Sequence, residues 1–175
     1  MSDEIKKGLV GVVSDETKIS EVMPEINSLT YRGYAVQELC AKCNFEQVAY
    51  LLLHGELPNP DELKAFKEYE KSNRNISDTL KNTIKNYPNN AHPMDTTRTT
   101  VSHMGLEDPD TEDNSPESNM RKSMRLFAQI STAVAANFRI RKGQEIINPN
   151  LSLSFSENFF HMSFGKVPSP EVVKA

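Results

Sequence analysis

The sequence carries only two cysteines, no excess of positive charge and no apolar run long enough to cross a membrane. Each absence removes a class of function. A membrane-spanning helix needs about 18 or more consecutive apolar residues, and no stretch here approaches that. The opening MSDEIKKGLV lacks the apolar centre of a secretory leader, and its early Asp3 and Glu4 argue against an organellar transit peptide. Lys and Arg number 20 against 24 Asp and Glu, a net charge of -4, so nothing draws the chain generally toward nucleic acid. The expected setting is the cytoplasm, with neither membrane nor nucleic acid as a partner.

The two cysteines form a C-x-x-C at Cys40 and Cys43. A structural zinc site needs four ligands. There is no second pair, and His54, His92, His103 and His161 are scattered without metal-ligand spacing. A redox motif of the thioredoxin kind follows a strand in a βαβ unit, and no such unit is visible. The expectation is two helix-end thiols that pack as small apolar groups, free as in a reducing compartment.

What is present is a periodic apolar pattern. The chain has 175 residues, 37% of them hydrophobic, enough to bury a core without disulfides, and its length matches one domain. Residues 9–13, 18–22 and 29–32 are short β-prone runs. Helix signals dominate thereafter. Residues 35–41 place Val36 and Leu39 on one face. Asn44 caps a second helix with Gln47 as its capping-box partner, and Gly55 closes it. Asn59-Pro60, with Asp61 and Glu62, opens a third, whose face carries Leu63, Phe66 and Tyr69 or Glu70. Further helices are expected over 77–86, 93–105, 116–141 (capped by Ser115) and 152–164, the last two closed by Gly143 and Gly165. The loop 106–115 holds Glu107, Asp108, Asp110, Glu112 and Asp113 and no basic residue. It lacks the order of an EF-hand and reads as a solvated acidic loop. Ser169, Pro170 and Glu171 then open one more helix, of which only about one turn follows. So short a helix is marginal, and the sequence is expected to be the N-terminal part of a longer subunit.

No nucleotide-binding glycine motif, nucleophile elbow or zinc-protease motif occurs. The polar residues have modest roles available. His54 is placed to meet the last carbonyls of its helix, and His92 to cap or pack at a helix start. Arg98 faces either an anionic ligand or Asp95 three residues before it. Arg32 suits a buried ion pair. Arg139, Arg141 and Lys142 complement a helix dipole.

Five blocks in order carry a resemblance. They are Gly8-Leu9-Val10-Gly11-Val12, Thr17-Lys18-Ile19-Ser20, Leu29-Thr30-Tyr31-Arg32-Gly33-Tyr34, the run from Phe45-Glu46-Gln47 to Gly55-Glu56-Leu57-Pro58, and His92-Pro93-Met94-Asp95 with Arg98 and Val101-Ser102. Together they resemble the N-terminal portion of citrate synthases, in phrasing closest to the bacterial citrate and 2-methylcitrate synthase branch. The resemblance spans about 8–170.

It implies a mainly α fold: a multi-helical large domain, present in part over 35–175, behind a strand-rich segment over 1–34. It implies a homodimer with stacked helices at its interface. It implies an acyltransferase that condenses acetyl-CoA or propionyl-CoA with oxaloacetate, the acyl-CoA being a substrate and no resident cofactor or metal being needed. A carboxylate base, one His that stabilises the enol and a second that polarises the oxaloacetate carbonyl follow from the same resemblance. The first of those histidines precedes an Asn-Ala-Ser-Thr run, which this sequence does not contain. No catalytic, cofactor-binding or metal-binding residue is therefore assigned within 1–175, and the chain alone is expected to be inactive. The alternative is a non-catalytic helical binding module on the same fold. The small-residue half of the 116–141 helix and the aromatic 152–164 helix are expected to present partner-facing surface.

Overall fold

The computed structural model describes residues 7–174, with side chains to residue 172. Asp3 and Glu4 lie outside the described residues. The chain is mainly helical and divides into two compact units, Met1–Leu57 and Pro58–Ala175.

The first unit holds a three-stranded antiparallel sheet of β1 (Ser20–Met23), β2 (Ser28–Tyr31) and β3 (Tyr34–Ala35), then α1 (Val36–Lys42) and α2 (Phe45–His54). Arg32 and Gly33 turn β2 into β3 with φ of 51° and 86°. A two-residue hairpin whose central residues both have positive φ matches the right-handed strand twist. The expected strand at 9–13 does not form. Gly8, Leu9 and Gly11 all take positive φ, which breaks an extended run, and the Val12 N–H bonds back to Leu9 instead. Asn44 caps α2 with the full capping box, each side chain meeting the other's backbone N–H. Such a cap contributes about 1 kcal/mol.

The second unit is built on α6 (Pro116–Arg141). Around it lie α3 (Pro60–Ser72), α4 (Asp78–Lys85), α5 (Pro93–Glu107) and α7 (Phe155–Phe164), with α8 (Pro170–Lys174) at the end. At 26 residues, α6 is about 39 Å long and touches each of the first four. The core joins Ile76, Leu80, Ile84 and Met104 to Ala133 and Ala136. The small residues of α6 are therefore already covered: Thr132, Ala133, Ala135 and Ala136 are buried within this unit. The expected partner-facing surface on that half is corrected accordingly, because α4 and α5 fill the space that short side chains leave. The aromatic helix α7 keeps part of that expectation. Phe164 is exposed beside the exposed Phe138, with ring centroids 5.5 Å apart.

Helix α7 begins three residues later than its apolar spacing predicts. Ser152 spends its N–H and hydroxyl on the side chain of Asn150, and Ser154 takes the cap with Glu157 as its box partner.

Candidate functional site

The most ordered polar chemistry of the second unit lies along the α5–α6 pair. Helix α5 is rich in threonine, a residue whose hydroxyl competes for backbone hydrogen bonds. Thr96 and Thr100 are buried, and each hydroxyl donates to a carbonyl of the preceding turn, Pro93 and Thr96 respectively. From α6, the Asn137 amide donates to the Thr96 hydroxyl at 2.6 Å. Tyr87 reaches the Thr100 hydroxyl at 3.2 Å. The Asn137 bond fixes the register of α5 against α6, since a slip would leave that buried amide without its partner. The cleft between the two helices, lined by Thr97, Val101, Ile130 and Val134 among others, holds only about 10 Å³. That is close to the room of one water.

The far end of the pair is closed by charge. Asp108 is the C-cap residue of α5, and Arg125 on α6 grips it with two hydrogen bonds of 2.8 and 2.7 Å. The same guanidinium reaches Asp110 at 2.7 Å, while Arg121 holds both oxygens of Asp110 at 3.0 Å. Two of the five acids of the expected solvated loop are thus clamped. Their basic partners stand 11–17 residues downstream, so no local pattern announces them. Hydrogen bonds from Arg121, then Arg125, hold the Asp110 carboxyl well below the usual carboxylate range. Arg125 does the same for Asp108. A carboxyl depressed in the folded chain stabilises it above the ordinary value of about 4, and that stability is lost as pH falls through the folded value. The α5–α6 turn is accordingly expected to loosen below about pH 4. Hydrogen exchange at 105–115 across an acid titration should show it in the parent and much less in Arg125→Gln.

The residues singled out from sequence are dispersed. The His92 ring accepts the Met94 N–H at the start of α5, the capping role expected. Arg98 pairs with Asp95 at 3.2 Å while 78% exposed. His54 stacks on Tyr50 with ring centroids 4.1 Å apart, and Gly55 closes the helix behind it. Arg32 makes no buried ion pair among the described residues. It donates instead to the Leu52 carbonyl at 2.9 Å. Arg139 and Arg141 do more than face a dipole: Arg139 donates to the carbonyls of Glu145 and Ser163, and Arg141 to that of Ala91. Cys40 is exposed and Cys43 half-buried, so the expected apolar packing fails at Cys40. Among the described residues, no group of three or more His, Cys, Asp or Glu is placed to hold a metal ion.

A second buried polar centre was not expected from sequence. Glu70 on α3 and Arg74 just beyond it form a bidentate pair at 2.7 Å, with 1% and 0% exposure. The Arg74 guanidinium also donates to the carbonyls of Asn150 and Leu153, and its own carbonyl accepts from Thr132 at 2.7 Å. One side chain thus ties the end of α3 to the strap before α7, and its backbone to α6.

This arrangement positions helices, and its buried or half-buried acids Glu70, Asp108 and Asp110 are paired with arginines. Comparison with known proteins decides what scaffold it is. The family described as "Citrate synthase, C-terminal domain" matches residues 8–175. The chain belongs to the citrate synthase family. The citrate synthase of Mycolicibacterium smegmatis is 50% identical over 171 residues, which is 98% of this chain and 45% of that protein. A 2-methylcitrate synthase of Mycobacterium tuberculosis is 48% identical over 98% of this chain and 43% of its own length. The crystal structure of citrate synthase from Pyrobaculum aerophilum superposes with a TM-score of 0.91 at 31% identity, covering 97% of this chain and 44% of that one. The citrate synthase fold is therefore shared across nearly all of the chain, and the chain spans under half the length of these relatives. No described helix of this family member is long and apolar enough to cross a membrane.

Proposed function

We propose that this chain is the N-terminal portion of a cytoplasmic synthase subunit that condenses acetyl-CoA or propionyl-CoA with oxaloacetate. The product is citrate or 2-methylcitrate with release of CoA. In this reading 1–175 supplies helical scaffold to a homodimeric enzyme, and the proton-abstracting carboxylate and the two histidines are contributed by sequence outside it. The observation that carries the reading is the near-equal identity to a citrate synthase and a 2-methylcitrate synthase, extended over 98% of the chain. The interior supports it. The acids Asp108 and Asp110 are held ionised by arginines at the turn of a helix pair. They serve that turn.

Two assays test the proposal. Residues 1–175 alone, given acetyl-CoA and oxaloacetate, are expected to release no CoA above background; turnover would place catalytic groups within this chain. A chimera that carries these residues in place of the matching stretch of the Mycolicibacterium smegmatis citrate synthase is expected to dimerise and turn over. A folded but inactive chimera would favour the non-catalytic binding module.

A further inference from the structure

We propose that Cys40 and Cys43 form a redox-active dithiol that is oxidised by a low-molecular-weight disulfide. Cys40 lies in the last turn of α1, exposed, and Cys43 is the half-buried C-cap residue. The Cys43 N–H donates to the Leu39 carbonyl at 2.9 Å, so the turn that joins the two cysteines is closed. Residues three apart on such a turn have Cα atoms about 5 Å apart. A disulfide accepts about 4.4–6.8 Å. Cys43 itself leaves the helix with φ -115° and ψ 153°. Its side chain therefore leaves from an extended rather than a helical backbone, and the Leu39 hydrogen bond holds that backbone beside the last turn of α1. Neither thiol is engaged in a hydrogen bond among the described residues, and the adjacent Lys42 ammonium pairs with Glu38 at 3.7 Å.

The chemistry is two exchanges. The Cys40 thiol gives up its proton and its sulfur attacks one sulfur of the external disulfide. The external S–S bond breaks, a mixed disulfide forms, and the leaving thiolate takes the proton. Cys43 then loses its proton and attacks the Cys40 sulfur, expelling the second external thiol. Two protein thiols are oxidised to one disulfide and the external disulfide is reduced to two thiols. The second step is intramolecular, so the neighbour's nearness gives it a high effective concentration.

Glutathione disulfide serves as the probe on the folded chain. The expected product has lost about 2 Da and keeps its helical circular dichroism. Trypsin cuts between the two cysteines, after Lys42, yet should leave peptides 33–42 and 43–64 joined. Dithiothreitol should restore both thiols. C40S and C43S should each stop at a single mixed disulfide with glutathione. Accumulation of glutathione on the parent without the 2 Da loss, linkage between two chains, or closure only in urea would each overturn the proposal.

Discussion

Replacing Arg74 with methionine is expected to cost the second unit about 3–5 kcal/mol, because it strands Glu70 as a buried charge without its partner. Arg74 is fully buried and Glu70 is 1% exposed. Removing the guanidinium also leaves the Asn150 and Leu153 carbonyls without the donor that holds them. The double variant Glu70→Leu with Arg74→Met should recover the part of the loss that comes from the orphaned charge, while the Asn150 and Leu153 carbonyls stay without their donor. Urea unfolding followed by helical circular dichroism measures both. A single variant within 1 kcal/mol of the parent would show that water reaches Glu70 and that the pair is not the fixing point described.

Ile84→Ala should cost about 2–5 kcal/mol. Ile84 is fully buried at the end of α4, against a cluster that includes Leu80, Met104, Ala133 and Ala136. Two of those neighbours are alanines on α6, with little side chain to move into the space left behind, so the cavity should persist. Lys85→Ala, one residue on and exposed, is the control and should stay within about 0.5 kcal/mol. The same urea series reads both, and equal midpoints for the two variants would contradict the packing described.

Much of the helical frame was legible because its punctuation is local. Asn44 with Gln47, Asn59-Pro60, Ser115-Pro116 and the glycines at 55 and 165 announce their helices within four residues. The family was legible from five blocks of sequence taken together. What was hidden depends on groups that meet only after folding. The acids at 108 and 110 looked solvated because their arginines lie a helix away. Glu70 shares the apolar stripe of α3 and was one of two candidates for its inner face; only the fold shows it buried and Tyr69 partly exposed. The run at 9–13 looked like a strand by side-chain type, yet three positive φ values settle it otherwise. The role of Thr96 was hidden in the same way: its hydroxyl meets Asn137, 41 residues on, only once α5 lies on α6.

The reach of Arg74 has a kinetic side. Most helix pairs of the second unit, α4 with α5, α5 with α6 and α6 with α7, are neighbours in sequence and close small loops, which is quick. Arg74 joins positions 76 and 79 residues away, a long loop whose entropy must be met before the contact rewards it. Its bonds should therefore form after the rate-limiting step. Their loss should be felt in how fast the folded chain opens and scarcely in how fast it assembles. The residue that most firmly closes this unit is thus a latch set last.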